Sequence, residues 1–91
     1  MKVSNDFILR EIAGEYLLVP VGAAAAKFNG LITLNETGNT IFQALNEDRT
    51  VEELTDVITG EYEVDHDTAK ADVEEFLQQL RQVGALIEDE Q

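Results

Sequence analysis

The chain has 91 residues, no cysteine and a formal net charge of −13. A chain of this length forms one domain, residues 1–91, and cannot enclose a deep active-site cavity beside its own core. Disulfides and thiolate chemistry are excluded, and no apolar stretch approaches the roughly 18 residues of a membrane span, so we expect a cytoplasmic protein without a membrane partner.

The negative charge is concentrated in the second part of the chain. Acidic and basic side chains balance between Met1 and Asn35, so all of the excess lies between Glu36 and Gln91. Lys and Arg side chains that displace counterions supply non-specific affinity for nucleic acids. We therefore expect no nucleic-acid partner, and we interpret most of the acidic residues as solvated helix faces.

The first part of the chain predicts two strands joined by a hairpin. Residues 6–12 and 15–21 are rich in β-branched and aromatic residues, and Ala13-Gly14 between them suits a turn. Pro20 lacks an N–H, so it should end the pairing of the second strand or lie at an edge. Residues 22–27 contain four alanines but are too few to nucleate a helix, which favours a loop that becomes an extended partner for the next strand.

A third strand is predicted to lead directly into a helix. Asn29-Gly30 is typical of a tight hairpin turn, and Gly30 to Leu34 continues as an aliphatic, β-branched strand. Asn35 can accept a hydrogen bond from the first free N–H groups of a helix that begins at Glu36 and reaches about Leu45.

Two further helices follow. Thr50 with Glu53 forms a capping box for a helix over 51–59, which Gly60 should close. Asp65 is the expected N-cap of the longest helix, from His66 to about Val83, closed by Gly84. Its apolar stripe consists of Ala69, Val73, Phe76, Leu77, Leu80 and Val83. The stripe is flanked by Lys70 and Arg81 on one side and by Asp72 and Gln79 on the other, and these edges can meet a ligand.

These elements predict an α+β, winged-helix-like fold, in which a three-stranded antiparallel sheet is followed by three helices. Winged helices usually bind DNA through their recognition helix. The longest helix here carries more acidic than basic side chains, so contact with phosphates would be repulsive. A winged-helix regulator that binds DNA or another regulatory protein remains the alternative function.

The residues that catalysis or cofactor binding requires are scarce. His66 is the only histidine, and its place between Asp65 and Asp67 indicates a solvated side chain rather than a general base. The alternating acids of 61–67 lack the central glycine and the final glutamate of a calcium loop. No glycine-rich phosphate cradle occurs. We expect no enzyme activity, no metal and no cofactor.

Several strings resemble the coenzyme PQQ synthesis protein D family. They are LREIAGEYLLVPVG (9–22), FNGLITLNETG (28–38), TVEEL (50–54), EYEVD (61–65) and DVEEFLQQLRQVGALI (72–87). The resemblance implies a non-catalytic adaptor that binds the leader of a ribosomally synthesised precursor peptide. It also implies a second partner, a modifying enzyme such as a radical SAM protein, to which the peptide is presented.

The resemblance further implies where the leader binds. The leader would add as a strand to the third predicted strand and lie in a groove beside the longest helix. The implied contact residues are Leu31, Ile32, Thr33, Leu34, Val73, Phe76, Leu77 and Leu80. Phe76 and Leu80 are either core residues or the floor of that groove. Successive strand residues direct their backbone groups to opposite sides, so one of Ile32 and Thr33 faces the open edge, and side chains alone leave open which one.

Overall fold

The computed structural model of the chain describes residues 1–27 and 30–88. In chain order its elements are β1 (Lys2–Val3), β2 (Phe7–Ile12), β3 (Glu15–Pro20), α1 (Gly22–Lys27), β4 (Ile32–Leu34), α2 (Glu36–Ala44), α3 (Val51–Glu61), α4 (His66–Gln82) and β5 (Leu86–Ile87). The α+β class and the three-stranded antiparallel sheet before the long helices are confirmed.

The main sheet has the strand order β2-β3-β4, and all of its pairs are antiparallel. β2 and β3 form a regular hairpin in which Ile12 pairs with Glu15 and Phe7 with Pro20. Pro20 therefore ends its strand, as expected for a residue without an N–H. The short strands β1 and β5, which the sequence did not predict, pair with each other in a separate two-stranded sheet.

The hairpin turn has positive φ at both central residues, 53° at Ala13 and 83° at Gly14. This is the twist that suits a two-residue link between antiparallel strands. Gly14 adopts it without steric cost, whereas the Cβ of Ala13 crowds its own carbonyl. The turn at this position is confirmed, and it holds one strained residue.

We expect Ala13→Asn to stabilise the protein by about 0.5–1 kcal/mol, because asparagine tolerates the left-handed region better than alanine does. Gly14→Ala is the opposite control and should cost about 1–2 kcal/mol. Urea unfolding followed by circular dichroism measures both free energies. A lower unfolding midpoint for Ala13→Asn than for the wild type would contradict this account of the turn.

Residues 22–27 form helix α1, so the prediction of an extended segment is wrong. Gly22, with φ of 58°, turns the chain after β3, and Ala24 packs against the core. This tertiary contact supplies the stability that an isolated helix of this length lacks. The partner of β4 is β3, and residues 21–31 join the two, so a tight hairpin into the third strand is also wrong. Asn29 lies outside the described residues, and Gly30 has φ of 151°.

The predicted helix starts are confirmed. Asn35 Oδ1 accepts a hydrogen bond from the Gly38 N–H at 2.7 Å. Asp65 occupies the N-cap position of α4, but its side chain accepts no capping hydrogen bond. The Thr50 hydroxyl accepts from the Glu53 N–H at 3.1 Å, and the Glu53 carboxylate accepts from the Thr50 N–H at 2.9 Å. Local sequence determines these caps, which is why they were predictable.

One predicted helix end is confirmed and the other is wrong. Gly84, with φ of 74°, follows α4, and the N–H groups of Gly84 and Ala85 donate to the Arg81 and Leu80 carbonyls at the end of the helix. Gly60, by contrast, lies inside α3. The helix continues because the Tyr62 N–H donates to the Ile58 carbonyl at 2.9 Å and the Tyr62 hydroxyl contacts the Thr40 hydroxyl at 2.8 Å. These contacts extend the last turn past the glycine.

One continuous core joins the sheet to the helices. The inner face of the sheet contributes Phe7, Leu18 and Leu34, and α4 contributes the stripe that its spacing predicted. The remaining fully buried large side chains from the helices include Ile41, Leu45, Leu54 and Ile58. The sheet therefore packs with one face against the helices, and β4, the last strand of the sheet, leads directly into α2.

Candidate functional site

The backbone of β3 determines which groups of β4 face outward. The Val21 N–H donates to the Asp6 carbonyl at 2.8 Å, so the backbone of Val21 points toward the β2 side. Hydrogen-bonding groups alternate between the two sides along an antiparallel strand. Leu17 therefore points to β2 as well, whereas Tyr16 and Leu18 point to β4.

The register then assigns each residue of β4. Tyr16 pairs with Leu34 and Leu18 with Ile32, so Ile32 and Leu34 direct their N–H and C=O groups to β3. Thr33, opposite Leu17, turns its N–H and C=O to the other side. Within residues 1–27 and 30–88 no strand pairs with that side. The edge of β4 thus presents an unpaired donor and acceptor at Thr33, the arrangement to which another strand can add.

A groove of about 540 Å³ lies beside this edge. It is lined by Thr33, Leu34 and Asn35 from the end of β4, by Thr37, Gly38 and Ile41 from α2, and by Asp72, Glu75, Phe76 and Gln79 from α4. Its floor, formed by Leu34 and the Phe76 ring, is apolar, and its rim on α4 is polar. The lining has no histidine, cysteine or lysine, and its ionisable side chains are the carboxylates of Asp72 and Glu75.

Gly38 keeps the space above the floor open. A Cβ at this position would lie 3.1 Å from Cε1 of Phe76 and 3.2 Å from the Asn35 carboxamide oxygen that caps α2. These distances are shorter than ordinary van der Waals contact, so any other residue would push the ring. The capped strand-to-helix turn and the glycine together place the first turn of α2 against the Phe76 ring.

The residues that the resemblance implied are divided between the groove and the core. Thr33, Leu34 and Phe76 line the groove. Leu31, which precedes β4, is 57% exposed, and Ile32, the first residue of β4, is half-buried; neither lines the groove. Val73, Leu77 and Leu80 are 0%, 1% and 1% exposed in the core and do not line the groove.

Phe76 belongs to both regions. It is 7% exposed and packs in the core, yet its ring also forms part of the groove floor. The apolar stripe of α4 is wide enough that its centre is covered on all sides, whereas its edge meets the groove. Phe76 is therefore both a core residue and part of the groove floor, whereas Leu80 is a core residue.

The sequence alone did not indicate that Asn35, Glu75 or the α2 residues contribute to the site. For α4 there was one indication in the sequence: Asp72 and Gln79 flank one edge of the apolar stripe, and an edge of the stripe was expected to contact a ligand. Both residues line the groove. Positions 72, 75, 76 and 79 fall on one helix face. The sequence alone did not show that this edge, rather than the edge with Lys70 and Arg81, faces β4.

His66 lies outside the groove in an exposed cluster. Its Nε2 is 3.3 Å from a Glu52 carboxylate oxygen, and its Nδ1 is 3.6 Å from Asp67. Hydrogen bonding to Glu52, and secondarily to Asp67, raises the pKa of His66 above its ordinary value of 6.5. The folded state therefore favours protonated His66, so the contribution to stability is fully present below the ordinary pKa and is lost as pH rises through the folded pKa.

We expect an NMR titration of the His66 ring to give a pKa above 6.5 in the wild type. Glu52→Gln should lower this pKa toward the ordinary value, because it removes the larger of the two causes, and Asp67→Asn should lower it less. A wild-type pKa at or below the ordinary value, or an unchanged pKa in Glu52→Gln, would show that the contact does not persist in solution.

No group of three or more His, Cys, Asp or Glu side chains in residues 1–27 and 30–88 is arranged to hold a metal ion. None of the helices within the same ranges is both long enough and apolar enough to cross a membrane.

Two solved structures that share this fold are leader-peptide complexes. TbiB1 in complex with the TbiA(beta) leader peptide is 27% identical, with a TM-score of 0.77, and the match covers 100% of both chains. A lasso peptide synthetase B1 complexed with its leader peptide shares the fold with a TM-score of 0.74 at 18% identity, covering 96% of each chain. Among curated proteins no match was found.

The sequence itself matches a family model. The model described as coenzyme PQQ synthesis protein D matches residues 13–86, a range that runs from the β2–β3 turn to the start of β5. This range contains β4, α2 and α4, the elements that build the groove, and it spans well over half of the chain. The chain therefore belongs to the coenzyme PQQ synthesis protein D family.

Proposed function

We propose that this protein is a peptide-recognition adaptor for a ribosomally synthesised precursor peptide. The leader of the precursor adds as a strand to the open edge of β4 and places side chains in the groove between α2 and α4. The adaptor then presents the peptide to a modifying enzyme, such as a radical SAM protein, which performs the chemistry. The observation that carries the proposal is the unpaired backbone of Thr33 directly beside a groove with an apolar floor and a polar rim.

The comparisons support this function. The similar structure that covers the whole chain at 27% identity is a leader-peptide complex, and the second structure with this fold also holds a leader peptide. The groove elements of the present chain lie within the range that matches the family. Strand addition to an exposed sheet edge is a general mode of peptide recognition, in which backbone pairing holds the peptide and side-chain pockets select it.

The energetics require the groove as well as the edge. Each backbone hydrogen bond contributes about 0.5–1.5 kcal/mol net, whereas ordering each peptide residue costs about 1–2 kcal/mol. Backbone pairing alone therefore gives no net affinity. Two or three apolar peptide side chains buried at about 1.5–3 kcal/mol each add about 3–9 kcal/mol, and the upper end of this range corresponds to micromolar affinity, about −8 kcal/mol.

Nothing in the described structure favours the DNA-binding alternative. The groove face of α4 carries Asp72 and Glu75, and the chain as a whole carries a net charge of −13. Both features repel a phosphate backbone. We also propose that the adaptor has no catalytic activity of its own and works in the cytoplasm, where precursor peptides are made.

The test is a titration with leader peptides from short reading frames encoded beside the gene of this chain. Fluorescence polarisation of a labelled leader should show saturable binding in the micromolar range, and a scrambled peptide of the same composition should bind much more weakly. Labelled random duplex DNA at low salt should not bind. Salt-sensitive duplex binding at micromolar protein, without discrimination between leader and scrambled peptide, would overturn the proposal.

A further inference from the structure

We propose that the groove selects a basic peptide. A Lys or Arg of the added strand lies with its alkyl stem across the Phe76 ring and its charged end at the carboxylates of Asp72 and Glu75. This inference rests on the proposed function and adds the chemical class of the peptide to it.

The carboxylates of Asp72 and Glu75 form no ion pair with a basic side chain in the described part of the chain. Asp72 and Glu75 are exposed and line the groove, about one helical turn apart on α4. Among the described residues neither takes part in a salt bridge or a side-chain hydrogen bond. The negative charge of the rim is therefore uncompensated in the free protein.

The basic residues of the same helix are engaged away from the groove. Lys70 Nζ lies 3.8 Å from Glu52 on α3. Arg81 donates two hydrogen bonds to the Glu88 carboxylate, at 2.9 Å and 3.1 Å. No Lys or Arg lines the groove, so a basic side chain that pairs with the rim has to come from the ligand.

The floor and the rim together fit an amphipathic side chain. Lys and Arg bury their methylene groups against apolar surface and keep the charged end in contact with polar groups. Phe76 supplies the apolar surface, and Asp72 precedes it by one helical turn on the same face. A purely apolar side chain would cover the floor but leave the carboxylates partly desolvated and unpaired, and an acidic one would be repelled.

Strand geometry limits the number of basic positions. Side chains on one face of an extended peptide recur about every 6.7 Å, whereas Asp72 and Glu75 are about 4.5 Å apart along the axis of α4. The rim therefore fits one basic residue, or two that are separated by one residue. The net charge of −13 adds attraction at longer range, which raises the association rate at low salt.

A display selection tests this inference with a defined probe, a library of random twelve-residue peptides. The library is selected in parallel on the wild type, on Asp72→Asn/Glu75→Gln, and on Asp56→Asn/Glu63→Gln. The last variant removes the same charge at exposed positions outside the groove. Thr33→Pro, with its fold verified by circular dichroism, serves as the control for strand addition.

We expect peptides selected on the wild type to carry Lys or Arg at a fixed spacing from apolar residues. This excess should persist on Asp56→Asn/Glu63→Gln and disappear on Asp72→Asn/Glu75→Gln, where the apolar residues should remain. The tightest wild-type peptide should bind Asp72→Asn/Glu75→Gln about three- to tenfold more weakly by fluorescence polarisation, with a smaller dependence on salt.

The possible failures of the two proposals are distinguishable. Wild-type peptides without a basic excess, or an excess that survives on Asp72→Asn/Glu75→Gln, would overturn the selection of basic peptides. Loss of those same peptides on Thr33→Pro would at the same time support strand addition. If Thr33→Pro bound the selected peptides as tightly as the wild type, binding at the β4 edge itself would be overturned.

Discussion

Replacing Phe76 with alanine is expected to weaken peptide binding at least about tenfold, because it removes one large apolar contact from the groove floor. Leu77→Ala is the matched control, since Leu77 is the next residue along α4 but is 1% exposed and does not line the groove. Both substitutions leave core cavities and should destabilise the fold, by about 3–5 kcal/mol for Phe76 and about 2–5 kcal/mol for Leu77.

The two variants are compared by polarisation titration at low temperature, with the folded fraction measured by circular dichroism. Phe76→Leu retains more of the side-chain volume, so it allows the same comparison if the alanine variant does not fold. Equal affinities for the folded forms of the Phe76 variants and the wild type would contradict the assignment of Phe76 to the binding site.

Proline substitutions in β4 should separate folding from binding. Ile32→Pro removes an N–H that points to β3, so we expect a loss of about 1–3 kcal/mol from the broken hydrogen bond, in addition to lost packing. Thr33→Pro removes an N–H that faces the open edge and should leave the fold nearly intact. Only this second variant should be folded and yet bind peptide at least about tenfold more weakly.

Thr33→Ala is the control for the second substitution, because it changes the side chain but retains the N–H. Its affinity should stay close to that of the wild type. Thermal melts and peptide titrations of the three variants provide the comparison. A folded Thr33→Pro that binds peptide like the wild type would rule out strand addition at this edge.

The parts of the fold that were predictable are those that neighbouring residues determine. The Asn35 cap, the Thr50 capping box and the Ala13-Gly14 turn each depend on contacts within a few residues. The end of α3 was not predictable in the same way, because Tyr62 extends the helix past Gly60 through a contact with Thr40, a distant residue in the chain.

The same distinction applies to α1 and to the site. Four alanines in 22–27 favour a helix intrinsically, but the packing of Ala24 against the core decides the outcome, and this packing is not visible in the sequence. The stripe of α4 was predictable from its period. The edge of the stripe that faces β4, and the orientation of Thr33, depend on strand pairing between β3 and β4.

Amide hydrogen exchange of β4, measured by NMR with and without a saturating peptide, tests the central claim most directly. In the free protein the N–H groups of Ile32 and Leu34 point to β3, whereas that of Thr33 faces solvent. Exchange at Thr33 should therefore be the fastest of the three, and bound peptide should slow it at least about tenfold while changing its two neighbours less. Unchanged exchange at Thr33 with the protein saturated would contradict the addition of the peptide as a strand to β4.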